Sequence, residues 1–328
     1  MKPIGLHRDL LAGWALVAAF ALTGCSLSPL DVADSQPLQA GRLPTPDVAL
    51  QIPQLGPCTD APDRTLHLNA GHPVAVMVHG CNGSAGNFRS LAQLHAFHGQ
   101  QAVCFSYDGR DSLVRSSAQL AAAPEALAGR MRDQTITLIG HSMGGLIARK
   151  AMERSEGDPQ RRDEVRVNLV TVSAPVAGIA AAGPCGNRAL HWLSLGLLPA
   201  SCWMVSGDNW FEITAPSDFI RRPGPLLPSV QRYLKVVTDE RGACRRRSQT
   251  GACIESDHIF GLPEQYHAVI DAYPQVTNVQ VDAGHVEIVG YKDVAPRKLL
   301  AILQQQGVIA PTPLQQQAAL ERLLARLY

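Results

Sequence analysis

The sequence predicts an α/β fold: a mainly parallel central sheet covered by helices on both faces. Three observations carry that reading. Short apolar runs alternate with helical patterns along most of the chain. Its 328 residues suit one large domain with a well-filled core better than two small ones. Thr135 to Ile147 passes from a β-branched apolar run, through Gly140-His141-Ser142-Met143-Gly144, into an apolar helical pattern. That order is strand, sharp turn, helix.

The elements follow in chain order. Val74-Ala75-Val76-Met77-Val78 predicts a buried strand, residues 86–98 a helix, and 102–107 a second strand. A helical pattern covers 113–131, with Pro124 as a candidate break. The strand and helix around Ser142 come next, ending near Glu153. Residues 167–172, 233–238 and 278–281 predict three further strands. Helical patterns over 295–306 and 313–328 close the chain, separated by Gly307 and Pro311. The apolar stretch 175–232 interrupts this rhythm and reads either as a cap or lid or as additional core. It contains His191-Trp192-Leu193-Ser194-Leu195-Gly196-Leu197-Leu198-Pro199 and the further tryptophans Trp203 and Trp210.

The first residues belong to targeting rather than to the fold. Lys2, His7 and Arg8 precede an apolar run, Leu10 to Leu22, closed by Leu22-Thr23-Gly24-Cys25. The run is shorter than the ~20 residues that span a bilayer. Small residues before a cysteine resemble the lipobox of bacterial lipoproteins. That resemblance implies a signal peptide over 1–24, lipid attachment at Cys25, and an outer-membrane anchor facing the periplasm. Residues 25–46, rich in Pro, Ser, Asp and Gln, read as a flexible tether, which leaves 47–328 as the domain. Loss of residues 1–24 removes Lys2, Arg8 and Asp9, so the formal charge of +1 becomes zero. A neutral chain offers no electrostatic case for nucleic acid.

Seven cysteines remain beyond Cys25, a usage that fits an oxidising compartment. Cys244 and Cys253 flank a short polar loop and Cys185 and Cys202 a longer one, so both are natural pairs. Cys81 with Cys104 is a weaker pairing, and the odd count predicts a free or intermolecular thiol. No cysteine has zinc-ligand spacing, and no structural metal is expected.

Gly140 and Gly144 lack Cβ atoms and let strand and helix approach, which holds Ser142 outward at the apex. A serine hydroxyl needs a base to take its proton and a third group to orient that base. Asn278-Val279-Gln280-Val281-Asp282-Ala283-Gly284-His285 places His285 just after the last strand, so it is the expected base. His258 and His267 lie before that strand. Asp257, downstream of the Cys244–Cys253 loop, is the expected acid, with Asp239 and then Asp282 as alternatives. Val78-His79-Gly80-Cys81-Asn82-Gly83 follows a buried strand, so the backbone N–H groups of Cys81 and Met143 are the expected oxyanion donors.

Together His79-Gly80, Gly140-His141-Ser142-Met143-Gly144-Gly145, Asp257 and Gly284-His285 resemble the α/β-hydrolase superfamily, within it bacterial lipases and esterases. Val172-Ser173-Ala174-Pro175-Val176-Ala177-Gly178 is also lipase-like, departing at Val176, where such lipases often carry histidine. The resemblance spans about Pro73 to Val289. It implies cofactor-free hydrolysis of an acyl ester or lipid through an acyl-serine intermediate. The alternatives are an amide, thioester or cell-envelope acyl substrate on the same site, or a non-catalytic envelope lipoprotein.

Overall fold

The computed structural model describes residues 42–154 and 165–328. Residues 1–24, Cys25 and most of the 25–46 tether lie outside the described residues. Eleven strands are present among those described: β1 (Val48–Leu50), β2 (Leu55–Gly56), β3 (Leu66–Leu68), β4 (Val74–Val78), β5 (Gln101–Phe105), β6 (Thr135–His141), β7 (Arg166–Val172), β8 (Val230–Asp239), β9 (Cys244–Arg247), β10 (Cys253–Ser256) and β11 (Val276–Asp282). Seven form the central sheet in the order β11-β8-β7-β6-β4-β5-β2. Every neighbour in it is parallel except the short edge strand β2, which runs antiparallel to β5.

Side chains alternate across a strand, so both faces of this sheet must be covered. Val76, Val78, Leu138 and Leu169 pack on one face with Leu120 and Leu127 of the helix Leu113–Ala128. Met77, Ile139 and Val170 pack on the other with Leu91 and Leu94 of the helix Arg89–Phe97 and Leu299 and Leu303 of the helix Arg297–Gln305. Pro124 does not divide the helix Leu113–Ala128. The ring forfeits one backbone bond, but the buried stripe Leu120, Ala123 and Leu127 keeps both halves on the sheet.

Cys185–Cys202 and Cys244–Cys253 form as expected. Cys104 pairs with Cys58 rather than Cys81, because the antiparallel pairing of β2 with β5 sets the segment after Gly56 beside Cys104. Cys81 is disulfide-bonded too, and no cysteine is free among the described residues, which removes the free-thiol half of the expectation of a free or intermolecular thiol. The polar, arginine-rich Cys244–Cys253 segment is a two-stranded hairpin, β9 with β10. The apolar 175–232 insertion carries the helices Arg188–Leu193 and Leu197–Ser206, joined through Leu195 and Gly196, both at positive φ.

Candidate active site

Ser142 sits between β6 and the helix Met143–Ala151 with φ 56° and ψ −127°. An L-residue in such a conformation costs about 1–3 kcal/mol, supplied by the surrounding packing. That packing depends on missing Cβ atoms. A methyl on Gly144 would stand 2.3 Å from the carbonyl oxygens of Val78 and His79, and one on Gly140 2.3 Å from the Gly144 carbonyl oxygen. One on Gly80 would meet the Ser142 Cβ at 3.0 Å. The Gly80–Gly83 turn therefore lies directly beside the serine, closed by Gly83 N–H donating to the Gly80 carbonyl. Met143 opens the helix, so its N–H belongs to the first turn, which has no intrahelical acceptor. Cys81, in its disulfide, offers backbone rather than a thiol nucleophile.

His285 follows β11 and is buried. The carboxylate on its Nδ1 is that of Glu240, whose Oε1 is 2.9 Å away. Asp257, the acid expected from the sequence, is placed differently. Its carboxylate accepts from the backbone N–H groups of Val286 and Glu287 at 3.0–3.1 Å and from Arg245 Nε at 2.7 Å. Its carbonyl accepts from His285 N–H. Asp257 therefore braces the loop that presents His285, without facing the imidazole. Gly284 makes this possible, since a Cβ there would lie 2.0 Å from Asp257 Oδ2. Asp239 is turned to Arg241.

Glu240 is the first residue after β8, and the pleat puts it on the same side as Thr238 and opposite Asp239. It is 1 % exposed. Burial alone would raise its pKa. The bond and charge of His285, helped by Ser173 and the Phe260 N–H, outweigh that and hold it at about 2. Ile259 and Phe260 contribute through their backbones, both donating to Glu240 Oε2. The Phe260 ring also stands edge-on to His285, 4.8 Å between centroids.

His141 is packed against His285, and its Nε2 lies 2.8 Å from the His285 carbonyl. Burial, then the neighbouring His285, pushes its pKa down to about 3. It stays neutral and supports the loop. His79 is stacked on Tyr107, and its own pKa is lowered by burial.

The 175–232 insertion is hydrogen-bonded to the loop at Gly109 and Arg110. Arg110 donates to the carbonyls of Trp203, Met204 and Val205, the last turn of the helix Leu197–Ser206. Asn209 Nδ2 donates to the carbonyl of Gly109, and a Cβ on Gly109 would sit 3.2 Å from Asn82 N. The insertion, the loop at Gly109 and Arg110, and the turn beside Ser142 are thus contiguous. Trp192, Leu193, Leu195 and Met204 are exposed on its outer surface.

The structure therefore sets the Gly80–Gly83 turn against Ser142, packs His285 on His141, the residue before that serine, and pairs His285 with Glu240, which the sequence reading missed. The available signal was a carboxylate two residues beyond the buried Thr238 at a strand end.

Comparison with known proteins agrees with this architecture. A Bacillus licheniformis lipase, BlEst2 in its propeptide form, matches with a TM-score of 0.51 at 16% identity, over 78% of this chain and 53% of that one. A Paleococcus ferrophilus monoacylglycerol lipase matches at 17% identity and TM-score 0.47, over 72% and 95%. The comparison with curated proteins returned no match. The family model described as "Alpha/beta hydrolase family" matches residues 75–314, and with that span this chain belongs to the alpha/beta hydrolase family.

Proposed function

We propose that the protein is a serine hydrolase that cleaves carboxylic esters, with Ser142 as nucleophile, His285 as general base and Glu240 as the orienting acid. One observation carries the reading: a serine held at positive φ at a strand–helix turn, in a site where a buried histidine is paired with a buried carboxylate. With its proton on Nδ1, facing Glu240, the imidazole leaves Nε2 to take the Ser142 proton. Ser142 Oγ attacks the acyl carbonyl, and the N–H groups of Met143 and Cys81 receive the oxyanion. The imidazolium returns its proton to the departing alcohol. A water, deprotonated in the same way, then releases the acyl group.

The cap supports an apolar acyl substrate. Between Ala180 and Ser206 the only charged residue is Arg188, and Leu195 and Trp192 are 92% and 84% exposed. A surface with one charge and exposed tryptophans suits a lipid–water boundary.

The test is hydrolysis of acyl esters of graded chain length by purified protein. Ser142→Ala is expected to lower turnover roughly 10⁴-fold or more and to abolish labelling by a fluorophosphonate. Undiminished turnover in that variant removes Ser142 from the reaction. The lipid anchor at Cys25 is part of the same proposal. Cys25→Ala is expected to release the mature protein from membranes, and unchanged membrane association rules the anchor out.

A further inference from the structure

Ser173 is the buried polar group that this mechanism leaves unused. It follows β7, is 0 % exposed, and holds φ 49°. Its N–H donates to the Val236 carbonyl, which ties it to the neighbouring strand β8. Its Oγ meets three polar atoms: Glu240 Oε1 at 2.6 Å, Thr238 Oγ1 at 2.7 Å and His285 Nδ1 at 2.8 Å.

A hydroxyl has one proton to give and two lone pairs to receive. An ionised carboxylate only accepts, so the Ser173 proton goes to Glu240. The lone pairs then face Thr238 and His285. The Thr238 hydroxyl donates to one of them, and the other can be met only by an Nδ1–H. The opposite tautomer would set a bare Nδ1 lone pair 2.9 Å from Glu240 Oε1, two acceptors in contact. The bonding is complete with one arrangement: proton on Nδ1, lone pair on Nε2.

We propose that Ser173 is a positioning residue for His285, fixing its tautomer and ring plane by accepting from Nδ1–H while donating to Glu240. This rests on the assignment of Ser142, His285 and Glu240 above. Ser173 acts on the reaction through the imidazole and touches neither substrate nor the nucleophile. It divides the Nδ1–H between two acceptors on adjacent strand ends, so the ring is held at two points. The low pKa of Glu240 fits the same network, since Ser173 is among the groups that stabilise its charge.

The experiment pairs two substitutions. Ser173→Ala removes the hydroxyl and keeps the left-handed backbone. Ser173→Gly removes the hydroxyl and relieves that backbone, so it folds even where the alanine variant fails. Both are expected to lower kcat about 10- to 100-fold, the scale of a hydrogen bond to a charged partner, with KM within about twofold. Histidine ¹⁵N spectra are expected to show one Nδ1-protonated form of His285 in the parent and a mixture in both variants. In a Glu240→Gln background the tautomer is already lost, and Ser173→Ala is expected to cost less than about threefold more.

Parent-like kcat in both variants overturns the proposal, and so does an equal fold-loss in the Glu240→Gln background. A large loss with alanine that glycine restores also overturns it, because the backbone would then be the cause. Ser142→Ala, run alongside, separates the two levels. If it stays active the underlying assignment falls, and if it is dead while both Ser173 variants are unimpaired only the role of Ser173 falls.

Discussion

Replacing Glu240 by glutamine separates the two carboxylates near His285, and the structure sets the size of the effect. Glu240 is surrounded by donors. Oε2 accepts from the Ile259 and Phe260 N–H groups at 2.6 and 2.8 Å, and Oε1 from Ser173 and His285. A glutamine has one acceptor oxygen and one NH₂. Two backbone N–H groups cannot turn away, so the amide oxygen settles against Ile259 and Phe260. The NH₂ then faces His285 Nδ1, which accepts, and the ring proton moves to Nε2. That nitrogen can no longer deprotonate Ser142. Loss of the correct tautomer in a Ser-His-acid site costs about 10⁴ in turnover, or roughly 5–6 kcal/mol of barrier. Asp257→Asn is expected to act differently. It loosens the His285 loop and lowers stability by about 1–3 kcal/mol, with a fall in kcat of only about tenfold. The assay is steady-state hydrolysis of a short acyl ester, with thermal unfolding of each variant. Turnover within tenfold of the parent for Glu240→Gln, together with a 10⁴-fold loss for Asp257→Asn, would refute the assignment of the acid.

Three further outcomes are expected. Gly284→Ala drives a Cβ against the Asp257 carboxylate, 2.0 Å from Oδ2, and is expected to reduce kcat more than it reduces the unfolding temperature, because the displaced loop carries His285. Acid stability follows Glu240, whose pKa falls from 4.5 to about 2 on folding. Its contribution is therefore complete above pH 4.5 and is lost as pH drops toward about 2. Urea unfolding across that range is expected to show a decline of a few kcal/mol that Glu240→Gln flattens, and an unchanged slope in that variant would count against the pairing. Removing the Cys244–Cys253 bridge by a double alanine substitution is expected to cost about 2–3 kcal/mol on loop-closure grounds. It should also weaken turnover through Arg245 and Asp257, which hold the His285 loop; unaltered kinetics would uncouple hairpin from site.

The parts of this fold with strong local periodicity were legible from the residues. Val74–Val78 is a strand at the limits expected, and the strand, turn and helix around Ser142 follow from the glycines on either side. β1, β2 and β3 were not foreseen, because two- and three-residue strands leave no measurable pattern. The β9–β10 hairpin is polar, and its disulfide holds it where an apolar face would otherwise be needed. The acid was misplaced for a different reason. Asp257 and Glu240 are both buried carboxylates within reach of the same loop, and linear order cannot say which of them meets an imidazole and which meets backbone N–H groups. The apolar pattern of the strand ends at Thr238, which makes Asp239 the nearest carboxylate in the sequence. The pleat turns Asp239 outward and the next residue inward.

The register of β8 against β11 has a consequence for how this site tolerates change. Thr238 lies opposite Val281 and Asp239 opposite Asp282, so Glu240 and the His285 loop leave the sheet at one level on adjoining strands. Their separation is inherited from the interstrand spacing, a constant of β-structure close to 4.8 Å. The segment between the two strands, about thirty-five residues of hairpin and short helices, can lengthen or shrink without altering that gap. Diversification of the mouth is thereby freed from the geometry of proton transfer, provided one carboxylate stays behind to clasp the loop.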